Sequence, residues 1–341
     1  MVEQNTTSNM ERMPGQMIHR GRGGKAGAME LEHEWAVILA GGDGTRLKSL
    51  TRRITGDERP KQFCRVLGDL TLVEETRKRV AVEVARERTL FLLNRLHERY
   101  YSEILSDTPA SNLIEQPRNV GTAAAILYSV LKIATADPQA IVGFFPSDHY
   151  VSEDRRFMAH IRSAFDTARS RQDLVILLGI EPESPETEYG WIEPAELIPG
   201  HRQVHRVRRF WEKPGSSLAA VLQLRGHLWN SFVMVASAQA FLDVFAMATP
   251  ALHRAFTSVS SLFGTDDELG VIRKLYTLLD ETNFSDRVLA LVPERLAVLK
   301  VSGIKWSDLG APKRVLACMQ MAGILPRLME NYGRRSAAKQ G

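Results

Sequence analysis

An apolar run that leads directly into a glycine-rich turn constrains this chain more than any other feature. Residues 35–40 are uninterrupted apolar and predict a buried strand. Five residues of the turn after it, the glycine turn, stand out: Gly41, Gly42, Gly44, Thr45 and Arg46. Glycines let backbone N–H groups approach a phosphate closely, and the arginine adds a fixed positive charge. With Lys61 following in a Pro-Lys-Gln-Phe segment, the pattern predicts a site for a nucleoside triphosphate.

Strand-like and helix-like segments alternate after this turn. Strands are predicted at 89–93, 113–114, 140–145 and 174–180, and helices at 72–87, 121–134 and 154–171. Apolar strands spaced by helices indicate an α/β fold with a mostly parallel sheet covered by helices on both faces. Ligands of such sheets bind beyond the carboxyl ends of strands, where the glycine turn and residues 146–149 are expected.

The pattern changes after Glu181, where prolines separate short β-like pieces. Strands are predicted at 204–211 and 229–236, and helices at 238–246 and 266–279. Three regions are therefore predicted: a disordered tail at 1–33, a catalytic domain at 34–310, and a helical segment with a frayed tail at 311–341.

Composition excludes several classes of protein. A net charge of +4 over 341 residues is too small for a basic nucleic-acid-binding stripe. No apolar run reaches the length of a membrane span, and the first 30 or so residues lack the apolar core of a secretion signal. The two cysteines, Cys64 and Cys318, have no metal-site spacing. A cytoplasmic location is expected, with neither nucleic acid nor membrane as a partner.

The glycine turn differs from two better-known phosphate loops. It has no Gly-x-x-x-x-Gly-Lys-Ser/Thr pattern, and Leu47 stands where a dinucleotide fingerprint needs its third glycine. The string Leu-Ala-Gly-Gly-x-Gly-Thr-Arg-Leu, followed by Pro-Lys-Gln-Phe, resembles the signature of the sugar-phosphate nucleotidyltransferases, and among them the mannose-1-phosphate guanylyltransferases.

This resemblance runs from about Trp35 to Gly310. It implies a Rossmann-like sheet of the nucleotide-diphospho-sugar transferase type, with a β-rich sugar-binding part and a short helical carboxyl terminus. Longer members carry a phosphomannose isomerase domain, and this chain is expected to be a short form without one. The implied reaction is in-line attack of a sugar 1-phosphate, mannose 1-phosphate, on the α-phosphorus of a nucleoside triphosphate, GTP, with release of pyrophosphate.

The resemblance also implies roles for particular residues. The catalytic residues would be Arg46, Lys61, Asp148 and Lys213. Asp148, in Pro-Ser-Asp-His, and Asp308, in Trp-Ser-Asp-Leu-Gly, would hold Mg²⁺ as cofactor. Singly, each aspartate is typical of a cap or turn, but carboxylate oxygens also suit Mg²⁺. The two aspartates are expected to converge opposite Arg46 and Lys61.

Further segments of the chain follow the order that the family uses. The nucleotide would be bound by the glycine turn and by the Gln-Pro-x-x-x-Gly-Thr segment, at Gln116, Gly121 and Thr122. The sugar phosphate would be bound by Gly190, Glu212, Lys213 and Asn230, whose groups can hydrogen-bond hydroxyls or neutralise a phosphate. Alone, each segment is typical of a helix start, a solvated strand end or a core tryptophan.

Several departures from the family pattern leave the sugar open. The segment from Lys48 to Arg59 is altered and longer, Glu188 replaces a usual glycine, Gly215 stands where an acidic or amide residue is common, and Ser231 lacks a following glycine. One alternative is the same chemistry on another sugar phosphate or base. Another is an inactive relative that binds a nucleotide sugar and regulates a partner. Expected partners are GTP and a sugar 1-phosphate, with a homodimer left open.

Overall fold

A nine-stranded mixed sheet organises the part of the protein that the structure describes. The structure is a computed structural model that describes Met1 and residues 33–324. The strands are β1 (Glu34–Leu39), β2 (Thr89–Asn94), β3 (Leu113–Gln116), β4 (Ile141–Pro146), β5 (Tyr150–Val151), β6 (Val175–Ile180), β7 (Gly190–Leu197), β8 (Val204–Glu212), β9 (Leu228–Ser237), β10 (Leu296–Val301) and β11 (Trp306–Ser307). The sheet order is β3-β2-β1-β4-β9-β6-β10-β8-β7, and β5 pairs separately with β11.

Helices connect most of these strands. They are α1 (Lys48–Thr55), α2 (Leu72–Val80), α3 (Glu98–Tyr101), α4 (Thr122–Ala136), α5 (Asp154–Ser170), α6 (Ser216–Leu224), α7 (Ala238–Ala248), α8 (Pro250–Thr257), α9 (Glu268–Thr277), α10 (Phe284–Arg287) and α11 (Pro312–Met321).

The strand directions confirm the predicted fold class. Strands β1, β2, β3 and β4 are mutually parallel, and β10 is parallel to β6. Strands β8 and β9 run antiparallel to each of their neighbours, so they alone oppose the common direction of this sheet. The sheet is therefore mostly parallel in direction, with an antiparallel part around β7, β8 and β9.

Helices cover both faces of the sheet, as the apolar strands predict. Every residue of β2, β4 and β6 is buried. Successive side chains of a strand point to opposite faces, and along β1 Val37 joins one core while Ala36 and Ile38 join another. Helices α4, α7 and α8 contribute to the first core, and α2 and α5 to the second.

A third, smaller core lies apart from these two. It joins Leu47 after the glycine turn and Cys64 near Lys61 to Leu309 and to Val315 and Cys318 of the carboxyl-terminal helix α11. Helix α11 therefore packs on the loops that are expected to form the site.

The observed elements match most of the predicted ones, with differences at ends and in loops. The helix predicted over 72–87 ends at Val80, because residues 81–84 form turns and Arg86–Arg88 a 3₁₀ turn. Helices α1, α3, α6, α8 and α10 were not predicted. Of the predicted disordered tails, residues 2–32 and 325–341 lie outside the described residues. Within the described part, no helix has the length and apolar character that a membrane span requires.

Candidate active site

The glycine turn follows β1, and hydrogen bonds from the side chain of Gln62 hold it in place. The Gln62 side-chain Nε2 donates to the carbonyls of Ala40 and Gly42, at 3.0 and 2.7 Å. Gly44 has a φ of +59°, and a Cβ there would lie 3.2 Å from Pro60 Cα. The turn therefore depends on a glycine at 44 and on the Pro-Lys-Gln-Phe segment packed against it.

Asp43, within the glycine turn, joins three loops. Its carboxylate accepts from Asn94 at 3.3 Å and Asn119 at 2.9 Å, and lies 3.3 Å from His97 Nε2. Asn119 Oδ1 in turn accepts from the Gly121 N–H at 3.0 Å. Sequence reasoning treated Asp43 as a variable position and missed these contacts.

The residues predicted to bind the nucleotide base adjoin the glycine turn. A Cβ on Gly41 would lie 2.8 Å from Gln116 Nε2, so these two predicted residues are in contact. Gln116 is buried, and its Oε1 accepts from the Tyr276 hydroxyl at 3.3 Å. The Thr122 hydroxyl accepts from the backbone N–H of Phe284 at 2.9 Å, so within this structure it links α4 to α10.

Lys61 brings the two predicted carboxylate residues together; Lys61, Asp148 and Asp308 are the Lys61 junction. Lys61 Nζ lies 3.2 Å from Asp148 Oδ2. It also donates to the backbone carbonyls of Asp308 at 2.5 Å and Leu309 at 3.0 Å. Asp148 follows β4 and Asp308 follows β11, so segments 160 residues apart in sequence converge on one buried ammonium group.

The side chain of Asp308 is held by its own surroundings. Its Oδ1 accepts from Tyr189 Oη at 3.2 Å, from the Gly310 N–H at 2.8 Å and from Arg314 Nε at 2.9 Å. Burial raises the pKa of Asp308, but the charges of Arg314 and Lys61 outweigh it and hold that pKa below its usual value. Asp308 is therefore a fixed carboxylate at neutral pH.

The residues predicted to bind the sugar phosphate also lie together. Gly190 pairs with Glu212 across β7 and β8, and a Cβ on Gly190 would lie 3.1 Å from Glu212 Oε2 and 3.3 Å from Asn230 Cβ. Lys213 has a left-handed φ of 48°, and its Nζ lies 3.0 Å from Glu212 Oε1. Non-glycine residues in this conformation often mark functional sites.

Arg46 extends from the glycine turn toward the same region. Its guanidinium lies 3.5 Å from Glu188 Oε2, and the side chain is more than half exposed. Glu188 is also bound by Arg314, which binds Asp308. Arg46 is thereby connected to Asp308 through the side chains of Glu188 and Arg314. Sequence reasoning did not identify Arg314.

A cleft of about 740 Å³ lies beside the glycine turn. Its lining includes Thr45, Lys48 and Arg59, and the aromatic ring of Tyr100. The segment that departs from the family pattern, from Lys48 to Arg59, therefore forms one wall of this cleft.

The donor chemistry of the two aspartates fits the predicted Mg²⁺. Asp148 presents one carboxylate oxygen to Lys61, and the other is 3.7 Å from His149 Nε2. Among residues 33–324 there is no group of three or more His, Cys, Asp or Glu side chains that could hold a metal. Mg²⁺ commonly takes only one or two protein carboxylates together with substrate phosphates, so the predicted Mg²⁺ does not require a larger cluster.

Sequence comparison finds relatives along most of the chain. The sequence model of the family described as "Nucleotidyl transferase" matches residues 35–322. Mannose-1-phosphate guanylyltransferase 2 of Escherichia coli O157:H7 is 29% identical over 286 residues, which are 81% of this chain and 58% of the relative. ManC of Salmonella typhimurium, also a mannose-1-phosphate guanylyltransferase by name, is 30% identical over 81% of this chain and 58% of its own length. The chain thus spans little more than half the length of these relatives.

Structure comparison agrees with the sequence comparison. A crystal structure described as mannose-1-phosphate geranyltransferase from Thermus thermophilus superposes with a TM-score of 0.71 at 28% identity, over 83% of this chain and 79% of that one. UDP-glucose pyrophosphorylase complexed with UDP-glucose superposes with a TM-score of 0.54 at 13% identity, over 84% of this chain and 97% of that one, and shows a shared fold alone.

Proposed function

The chain belongs to the nucleotidyl transferase family, and on that premise we propose that it joins a nucleoside triphosphate to a sugar 1-phosphate. The proposed nucleotide is GTP, the proposed sugar is mannose 1-phosphate, and the products are a nucleotide sugar and pyrophosphate. The names of the relatives support this choice, since they are mannose-1-phosphate guanylyltransferases.

The observation that carries the proposal is the Lys61 junction. One ammonium group contacts Asp148 after β4 and the backbone at Asp308, while Tyr189 connects Asp308 to the strand that begins at Gly190. Groups suited to a triphosphate, to a metal and to a sugar therefore adjoin one another. Phosphoryl transfer needs little covalent chemistry from the protein and depends on positioning and on charge neutralisation.

In the proposed reaction an oxygen of the sugar 1-phosphate attacks the α-phosphorus of the triphosphate. A new P–O bond forms as the bond to the β-phosphate oxygen breaks, and pyrophosphate leaves with that electron pair. Arg46 and Lys61 would neutralise the triphosphate and the departing pyrophosphate. The exposed guanidinium of Arg46 can leave Glu188 for a phosphate, because its contact in this structure is long.

The opposite side of the site would hold the nucleophile. Lys213 would neutralise the phosphate of the sugar, while Glu212 and Asn230 would hydrogen-bond sugar hydroxyls. Asn230 Oδ1 accepts from the backbone N–H of Phe232 at 3.1 Å, which fixes its amide orientation. Gly190 leaves the backbone accessible between Glu212 and Asn230.

Mg²⁺ is the proposed cofactor, held by Asp148 and Asp308. When bound it would act as a Lewis acid on phosphate oxygens and offset their charge.

The test is pyrophosphate release from a panel of nucleoside triphosphates and sugar 1-phosphates in the presence of Mg²⁺. We expect GTP with mannose 1-phosphate to give the largest kcat/KM. Turnover of a different pair would move the assignment to that sugar or base. If no pair turns over while nucleotide sugars still raise the melting temperature, the protein is a regulator and not a transferase.

Asp148→Asn supplies the variant for this assay. It keeps the side-chain volume and is expected to lose at least about 10²-fold in kcat with an unchanged melting temperature. Asp166→Asn, an exposed aspartate on α5, is the matched control and should retain full activity. A folded, fully active Asp148→Asn enzyme would contradict the proposed centre.

A further inference from the structure

Arg314 of helix α11 contacts three carboxylates at once. Its Nε lies 2.9 Å from Asp308 Oδ1, Nη1 lies 3.2 Å from Glu186 Oε2, and Nη2 lies 2.5 Å from Glu188 Oε2. The arginine side chain is largely buried. A planar guanidinium with five donors is suited to such a fork, and an ammonium group is not.

The same guanidinium is stacked on Tyr189. The centre of the guanidinium lies 5.0 Å from the ring centroid, and the hydroxyl of that ring donates to Asp308. The backbone carbonyl of Tyr189 accepts from the Lys213 N–H at 3.2 Å. Arg314 therefore restrains the segment from Glu186 to Gly190 as well as the carboxylate of Asp308.

Helix α11 is itself fixed to the loops of the site. Val315, next to Arg314, and Cys318 pack with Leu47, Cys64 and Leu309 in the third core. Gly310 completes the arrangement, because a Cβ there would lie 2.3 Å from Asp308 Oδ2 and 2.9 Å from Arg314 Nη2. The position of the guanidinium is thus set by packing and not by its ion pairs alone.

Charge gives the arrangement a second consequence. Without Arg314, Glu186, Glu188 and Asp308 would place three negative charges beside a site proposed for two phosphorylated substrates. Of its ion pairs within residues 33–324, Glu188 would keep only the long one with Arg46, a residue that is expected to bind the triphosphate. Uncompensated carboxylates there would repel the phosphates and retain Arg46 on the protein.

We propose that Arg314 is a positioning residue of the active site, which fixes Asp308 and residues 186–190 and neutralises Glu188 so that Arg46 is released to the triphosphate. The inference rests on the proposed function for its kinetic consequence but not for its structural one. It assigns a role in the reaction to the carboxyl-terminal helix, beyond residue 310.

The first experiment measures amide hydrogen exchange, which needs no substrate. Arg314→Gln is expected to speed exchange at least about fivefold in peptides that cover 183–190 and 306–311, because both segments lose an anchor. Lys313→Gln, an exposed neighbour on the same helix with the same loss of charge, should leave both peptides unchanged. Unchanged exchange in Arg314→Gln would overturn the proposed anchoring.

The second experiment measures steady-state kinetics with the substrate pair that the wild type uses. Groups that orient a ligand residue typically contribute 10- to 100-fold, so Arg314→Gln is expected to lower kcat/KM at least about tenfold. Arg314→Lys keeps the positive charge but not the forked set of donors. Its kcat/KM should lie between those of the wild type and Arg314→Gln. Should Arg314→Gln fail to fold, Arg314→Lys still decides, since activity equal to the wild type would overturn the role of the fork.

The third measurement separates charge neutralisation from packing. Adding Glu188→Gln to Arg314→Gln removes the uncompensated carboxylate. We expect the double variant to have a KM for the triphosphate at least about threefold lower than that of Arg314→Gln. A purely structural role predicts no rescue, or a further loss, and that outcome would overturn the neutralising part. A wild type that is inactive with every pair would overturn the proposed function, while the exchange experiment would still test Arg314.

Discussion

Two regions, the glycine turn with the neighbouring residues 116–122 and the turns around the antiparallel strands, reach positive φ angles with different kinds of residue. In the first region the positive φ angles belong to glycines, Gly44 at 59° and Gly121 at 87°. In the second, Lys213 at 48° and Phe232 at 59° adopt the left-handed conformation with full side chains. Leu309, beside the Lys61 junction, does the same at 49°.

This difference in residue type suggests that the first region offers main-chain groups to a ligand, whereas the second offers side chains. A glycine leaves backbone N–H groups open to a ligand, which is what the proposed phosphate contact of the first region requires. A strained non-glycine residue persists only when its surroundings hold it, which aims a particular side chain. Lys213 is held by the hydrogen bond from its N–H to the Tyr189 carbonyl, and Phe232 by Asn230.

The largest expected effect is at the point where the two regions meet. Lys61→Ala removes the ammonium group that contacts Asp148 and the carbonyls of Asp308 and Leu309, so turnover should fall on the order of 10³-fold. Steady-state kinetics of the variant would show it. Lys305→Ala, an exposed lysine paired with Glu183, is the control, and equal losses in both variants would mean that Lys61 has no special role.

A smaller effect separates the two uses of glycine in the first region. Gly121→Ala forces an alanine into a left-handed φ and its Cβ to within 2.3 Å of the Thr282 carbonyl oxygen. We expect a loss of about 3 kcal/mol in the free energy of unfolding, measured by urea denaturation.

Gly42→Ala is the matched control for that experiment. No atom lies within 4 Å of a Cβ at Gly42, so its stability should change by less than about 0.5 kcal/mol. A comparable loss of stability in both variants would remove the distinction between glycines that pack and glycines that leave space for a ligand.

The strained backbone at Lys213 gives a smaller effect, in which stability and activity respond differently. Lys213→Gly relieves the left-handed conformation and Lys213→Ala does not, so the glycine variant should be more stable than the alanine variant by about 1 kcal/mol. Both variants lose the ammonium group and should raise the KM for the sugar phosphate more than that for the nucleotide. Equal stabilities, or equal effects on the two KM values, would contradict the assignment.

The smallest effect is a pH dependence that both regions share. Burial lowers the pKa of His97, and the nearby Asp43 offsets this only in part; burial also lowers the pKa of His227. A histidine with a lowered pKa in the folded state stabilises the protein fully above its ordinary value of about 6.5, and this stabilisation is lost as the pH falls through the folded-state value.

Urea denaturation at pH 7 and pH 5 would measure this dependence. We expect lower stability at pH 5, and a smaller difference between the two pH values in His97→Gln. His227→Gln should reduce the difference in the same direction, since His227 belongs to the antiparallel region. A difference that neither substitution alters would show that other groups cause it.

Local motifs explain why the first region could be read from the sequence. The strand, the glycine turn and Lys61 lie within 30 residues. The contact of Gly41 with Gln116 follows from the parallel strands β1 and β3, which flank β2 and end at the same edge of the sheet. The alternation of apolar strands and helices was also sufficient for the fold class. Helices α1 and α6 were missed because they lie in the altered loop segment and among short β-like pieces.

Contacts between distant segments explain what the sequence did not reveal. Arg314 is one basic residue near the carboxyl terminus, and its partners Glu186 and Glu188 are 126 or more positions away. No spacing rule connects such residues, because their proximity depends on β11 pairing with β5 and on the packing of α11. Gln62 was within a recognised string, but its contacts with the glycine turn required the fold.

The position of β10 in the sheet has a consequence for the order of assembly during synthesis. Residues 296–301 are inserted between β6 and β8, although both of those strands precede them by more than 80 residues. In a nascent chain the strands β1 to β4 can therefore pair early. The sheet cannot be completed until β10 has left the ribosome. Such late, distant pairing slows folding, so β6 and β8 are the strands of the newborn polypeptide that wait for β10, and β6 waits the longer of the two.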